Sequence, residues 1–131
     1  MIVFDSWALL AFFQGEDAAY HVERFINQCW ENGERMFIST INVGEIWYTV
    51  ARRESSEKAD EIVGHLKSLG IEMVDASFDR IMQASQIKKN GKLSYADAFA
   101  AALAMEKKAT LLTGDFEFKF LEEQIDIFWL R

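Results

Sequence analysis

Short apolar runs alternate along this chain with longer stretches in which apolar residues recur every three or four positions. The runs Ile2 to Phe4, Met36 to Ser39, Ile71 to Val74, Thr110 to Leu112 and Ile125 to Trp129 are brief and rich in Ile, Val, Leu or Phe, so they read as buried strands. The longer period predicts helices over Trp7 to Gln14, Ala18 to Asn32, Ile41 to Arg53, Ser56 to Leu69, Phe78 to Asn90 and Tyr95 to Lys108. Gly33, Gly70 and Gly91 stand just past three of these helices, where a left-handed C-terminal cap is expected. Regular alternation of strand and helix predicts an α/β domain with a mostly parallel central sheet and helices on its faces. In such a sheet, helix N-termini gather at the edge where the strands end, and ligands bind at that edge.

Composition narrows the picture. At 131 residues, half of them hydrophobic, the chain suits one domain, and no linker, repeat or low-complexity segment divides it. The lone Cys29 excludes an internal disulfide framework and has no His/Cys cluster around it for zinc, which favours a cytoplasmic protein. The apolar run Trp7 to Phe13 follows Asp5 with no basic leader and precedes Gln14, Glu16 and Asp17, so it is expected to be neither signal peptide nor membrane span. The net charge of −7 removes diffuse attraction to nucleic acid, leaving local basic groups or a bound cation to supply it.

Charge matters most where carboxylates meet the sheet edge. Asp5 follows the first strand and Asp115 the fourth, with no lysine or arginine within three positions of either. Taken singly, Asp5 reads as an N-cap of the next helix and Asp115 as a turn residue after Gly114. Ser94 and Asp97 form an S-x-x-D capping pattern, yet Asp97 also shares a helix face with Ala100, Ala101 and Ala104, small residues that admit a close neighbour. A carboxylate at the head of a buried stripe must be paired, hydrogen-bonded or bound to a cation. Asp5, Asp97 and Asp115 converging at one edge would repel one another without a cation, and hard oxygen ligands favour Mg2+ or Mn2+. Glu45 lies opposite the apolar stripe Val43, Ile46, Trp47 and Val50, so the pattern by itself assigns it to a solvated face.

Four segments in order, "MIVFDSWALLAFF", "STINVGEIWYTVAR", "LSYADAFAAALA" and "LLTGDFEFK", resemble the motifs of PIN-domain ribonucleases, within them the small single-domain toxins of the VapC type. The resemblance spans nearly the whole chain and implies a three-layer α/β/α domain with strand order 3-2-1-4-5. It implies that Asp5, Glu45, Asp97 and Asp115 form a catalytic acidic quartet in which Asp5, Asp97 and Asp115 hold the metal. Ser6 and Thr113 match small polar neighbours that support those acids or position water. Glu117 is either an extra acid near the site or the start of the next helix.

The expected reaction is metal-dependent hydrolysis of RNA phosphodiesters, with Arg52, Arg53, Lys88, Lys89, Lys92 and Lys119 as candidates for tracking the RNA backbone or as ordinary solubilising surface. The family also implies a homodimer and a cognate antitoxin covering the acidic groove. Two other enzyme classes fit less well. A haloacid dehalogenase-like phosphotransferase needs an aspartate where Trp7 stands, and a receiver domain needs paired acids after the first strand. A PIN-fold nuclease acting in RNA processing rather than as a toxin, and a noncatalytic module of the same fold, remain as alternatives.

Overall fold

The computed structural model describes residues 1–131. Its strands are β1 (Ile2–Phe4), β2 (Met36–Ser39), β3 (Ile71–Val74), β4 (Thr110–Thr113) and β5 (Ile127–Trp129), all paired in parallel in the order β3-β2-β1-β4-β5. The helices are α1 (Ser6–Phe13), α2 (Ala19–Asn32), α3 (Thr40–Arg53), α4 (Ser56–Ser68), α5 (Phe78–Asn90) and α6 (Tyr95–Lys107), with a 3-10 helix over Phe116–Leu121.

Both sheet faces are covered, which is why the central strand β1 and the middles of β2 and β4 are apolar at consecutive rather than alternate positions. Ile2, Phe4, Met36, Ile38 and Leu112 point into a core shared with Leu9, Val22, Ile26, Ile46, Val50 and Leu66 from the first four helices. Their neighbours Val3, Phe37 and Leu111 point the other way, into a core made with α5, α6, Phe118 and Leu121. This is the three-layer arrangement expected from the sequence.

The chain leaves β1 for β2 on one side and later returns to β4 on the other. The order of strands therefore reverses between β1 and β4, and the crevice beyond their C-terminal ends is where an open parallel sheet binds ligands.

Three local features differ from expectation. Gly91 is extended (φ −121°) rather than left-handed. A Cβ there would lie 2.4 Å from Phe120 Cζ and 2.7 Å from Leu93 Cδ2, so close packing accounts for this glycine. Gly33 and Gly70 do adopt positive φ, at 67° and 82°. The fifth strand starts at Ile127, because the Ile125 amide still donates to the Leu121 carbonyl at 3.0 Å and closes the preceding turn. Finally, α6 is buried all round from Asp97 to Ala104 rather than along one alanine stripe, because it is wedged between the sheet and α5.

Candidate metal centre

Each acidic side chain reaches the crevice because of the element that carries it. Asp5 ends β1 and caps α1, its Oδ1 accepting from the Ala8 amide at 2.8 Å. Its Oδ2 accepts from Thr113 Oγ1 at 2.5 Å, and Thr113 Oγ1 in turn accepts from the Asp115 amide at 3.0 Å. One hydroxyl at the end of β4 thus joins the two aspartate corners. Asp115 caps the 3-10 helix by accepting from the Glu117 amide at 2.9 Å, so the capping role and the crevice position coexist in both aspartates.

Ser94 caps α6 by accepting from the Asp97 amide at 3.1 Å, which leaves the Asp97 carboxylate free to face the crevice. Asp97 is only 8% exposed. One oxygen each from Asp97, Asp115 and Glu117 lie within 4.8 Å of one another, a span on which a single cation can be shared. Asp5 stands outside this group, with both oxygens already hydrogen-bonded, although the charges of Asp97 and Asp115 act on it.

Glu45 does not lie on a solvated face. It is half-buried and accepts a hydrogen bond from Ser6 Oγ, the residue after Asp5, and its charge acts on Asp97. The pattern misled because α3 is packed on two sides, against α4 and α1 on one and against α6 on the other.

Electrostatics set these carboxylates apart from ordinary ones. Burial pushes the Asp5 carboxyl up to about 8; the Thr113 and Ala8 hydrogen bonds work against the rise, and the Asp97 and Asp115 charges add to it. Burial likewise pushes Asp97 up to about 7, with the Asp115 and Glu45 charges adding to it. No lysine or arginine forms an ion pair with any member of the group. Hard oxygen donors, mutual repulsion and the lack of an internal cation together fit a divalent cation.

The six basic candidates separate into two sets. Lys88 and Lys89 end α5, Lys92 lies in the short loop into α6, and Lys119 sits in the 3-10 helix, so these four stand on the segments that lead to Asp97 and away from Asp115. Arg52 and Arg53 occupy the last turn of α3, roughly 20 Å along the helix from its cap at Ser39.

Two residues near the crevice escaped the sequence reading. Asn42 is fully buried and donates from Nδ2 to the Ala96 carbonyl at 3.1 Å, tying the start of α3 to the turn that carries Asp97; its Oδ1 has no protein partner. Its place on the buried i, i+4, i+8 stripe with Ile46 and Val50 was the available signal. Arg131 follows β5 at the same edge, donates from Nε to the Gly114 carbonyl at 2.7 Å, and stacks on the rings of Trp7 and Phe116 at 5.4 and 4.9 Å.

Comparison with known proteins agrees with this architecture. The chain is similar in fold to the VapBC complex of Salmonella typhimurium bound to DNA (TM-score 0.75, 20% identity, covering 99% of this chain and 98% of that one). It is similar to VapBC2 of Rickettsia felis bound to a promoter fragment (TM-score 0.75, 19% identity, 98% of each chain). It is also similar to VapC20 of Mycobacterium tuberculosis, a toxin that cleaves the sarcin-ricin loop (TM-score 0.70, 19% identity, 92% of this chain and 94% of that one). No curated protein matches the chain in sequence. The family model described as PIN domain matches residues 2–123, nearly the whole chain, and the chain therefore belongs to the PIN domain family.

Proposed function

We propose that this chain is a divalent-metal-dependent endoribonuclease and the toxin component of a toxin–antitoxin pair. The observation that carries the reading is the group of carboxylates at the switch point, where oxygens of Asp97, Asp115 and Glu117 come within 4.8 Å without a cationic side chain among them. Asp97 and Asp115 would hold Mg2+ or Mn2+ directly, and Asp5 would hold it from behind or through water. When bound, the ion would acidify a coordinated water and neutralise charge building on the phosphate oxygens.

The chain's own residues divide the remaining work. Glu45, oriented by Ser6, would position the attacking water and take its proton as the water oxygen adds to phosphorus. The departing P–O bond releases a hydroxyl, so one water is consumed per bond broken. Thr113 would hold Asp5 and the Asp115 backbone in register. Lys88, Lys89, Lys92 and Lys119, exposed on the segments that lead to Asp97 and away from Asp115, would draw in the RNA backbone that the net charge of −7 otherwise repels.

The toxin assignment is supported by the shared fold with toxin chains of VapBC complexes. It carries with it a cognate antitoxin covering the acidic crevice and a homodimeric toxin. No helix is long and apolar enough to cross a membrane.

The test is cleavage of structured RNAs in Mg2+ or Mn2+ by wild type, Asp5→Asn and Asp97→Asn. Each variant is expected to lose on the order of a thousandfold in kcat, as is typical when a group that stabilises charge in the transition state is removed. Activity equal in all three and insensitive to chelation would sink the reading.

A further inference from the structure

The Arg131 guanidinium has no acidic side chain paired with it: none of the chain's 21 Asp and Glu residues comes within 4.0 Å. It is nevertheless held in place. Nε is used on the Gly114 carbonyl, and the guanidinium contacts the rings of Trp7 and Phe116, while Nη1 and Nη2 have no hydrogen-bond partner. A guanidinium fixed through Nε and its flat faces, with both terminal nitrogens free, has the fork geometry that binds phosphate through two parallel hydrogen bonds.

The surroundings give this cation a direction. Gly114 immediately precedes Asp115, so the fork stands beside the carboxylate group without being part of it. Phe116 has the guanidinium over its ring at 4.9 Å and Trp129 tilted against it at 5.4 Å, yet it remains 53% exposed, so part of the ring stays open beside the guanidinium. Trp7 and Arg131 also line an open cleft of about 420 Å³ that does not include Phe116 and carries Glu16 and Asp17, which would repel a phosphate. An incoming nucleotide therefore approaches from the Phe116 side.

We infer that Arg131 and Phe116 form a nucleotide subsite flanking the reacting bond, in which Arg131 takes a backbone phosphate of single-stranded RNA and Phe116 stacks the attached base. The inference rests on the ribonuclease reading above and sharpens it. The RNA must be unpaired at that nucleotide, because a base inside a duplex has no free face for the ring.

Two measurements on the full chain test it. One is the affinity for a short fluorescein-labelled RNA of randomised single-stranded sequence, read by anisotropy in Ca2+. The other is steady-state cleavage in Mn2+. Arg131→Gln is expected to weaken binding about tenfold and raise KM by a similar factor, with kcat within about twofold of wild type. The slope of log affinity against log salt should flatten by about 0.7, one phosphate contact on a single strand. Arg131→Lys should restore that slope but only part of the affinity. Phe116→Ala, on an exposed side chain that does not threaten the fold, should weaken binding about fivefold with the salt slope unchanged.

Affinity unchanged in both Arg131→Gln and Phe116→Ala overturns the subsite, even if wild type cleaves RNA. So does a wild type with no measurable RNA affinity. A fall in kcat at constant KM in Arg131→Gln also overturns it, because Arg131 would then act by holding the Gly114 carbonyl. RNA binding that depends on Arg131 in a protein that cleaves in neither metal removes the ribonuclease reading and leaves the subsite standing.

Discussion

Asp5 and Asp115 end neighbouring strands at the same edge of the sheet, and each caps the helix that follows it, yet they are built for different work. At the β1–α1 corner, Asp5 is fully buried, has both oxygens hydrogen-bonded, and is pushed up to about 8. At the β4 corner, Asp115 is partly exposed and keeps an oxygen close to Asp97 and Glu117. The first corner is a pinned, buried carboxyl that keeps its proton up to about pH 8, and the second is an open one that a ligand can reach. The pinned aspartate ties the end of β1 to α1 and β4 through Ala8 and Thr113, while the open one keeps an oxygen where a cation could reach it.

The largest expected effect follows from the buried charge. Asp5 and Asp97 hold protons more tightly when folded, at about 8 and about 7, than the 3.8 of an ordinary aspartate. Between about pH 4 and pH 8 the native chain therefore binds protons that the unfolded chain has released, so stability is fullest near pH 4 and falls as pH rises through 7 and 8. Metal-free protein should melt several degrees higher at pH 5.5 than at pH 8, and added Mn2+ should raise Tm more at pH 8, where the carboxylates are ready to bind it. Asp5→Asn should raise the metal-free Tm at pH 8 and remove most of the pH dependence, whereas Asp115→Asn should reduce that dependence by less, because it removes only a charge that adds to the rise at Asp5 and Asp97. Equal behaviour of the two variants in a thermal melt would erase the contrast between the corners.

A smaller effect tests how the corners are joined. Gly114 lies under the Trp7 indole, and a Cβ there would meet Cη2 at 2.3 Å and both Cζ2 and Cζ3 at 2.5 Å. Gly114→Ala should cost about 1–3 kcal/mol by forcing the indole off the β4 corner. Trp7→Leu in the same chain should return part of that loss, because it removes the clash. Denaturant melts of the two single variants and the double variant measure the coupling, and strict additivity would show that the ring and the glycine do not constrain each other.

How much of this was legible depended on whether the signal was local. The first three strands coincide with their runs; β1 is apolar throughout because it is covered on both faces, while the edge strand β3 was legible despite its exposed Glu72. The 3-10 helix was not legible. "FEFKFL" alternates apolar and charged residues with a period of two, whereas the buried positions, Phe118 and Leu121, fall three apart. The strand order came from the family resemblance alone, since periodicity does not say which strands are neighbours. Among the site residues, Asp5, Asp97 and Asp115 were legible from their places after strands and at a helix start. Glu45 needed its family motif, because its partner Ser6 lies 39 residues away. Arg131 is held by residues 7, 114 and 116, a constellation that only the folded sheet edge brings together.

The smallest effect concerns Glu117, which separates a flexible ligand from fixed ones within the open corner. Its carboxylate reaches the same 4.8 Å group as Asp97 and Asp115, but it is exposed on the first turn of the 3-10 helix, whereas Asp97 is buried on α6. An exposed glutamate loses side-chain entropy when it binds, and water replaces it cheaply; a buried aspartate arrives already ordered. Glu117→Gln should therefore weaken Mn2+ binding only about two- to fivefold by calorimetry, against a hundredfold or so for Asp97→Asn. If Glu117→Gln weakens binding as much as Asp97→Asn, the coordination centre lies further out along the 3-10 helix. The pinned Asp5 would then be too deep to share in it, and the division of labour between the two corners would have to be redrawn around Asp115 and Glu117.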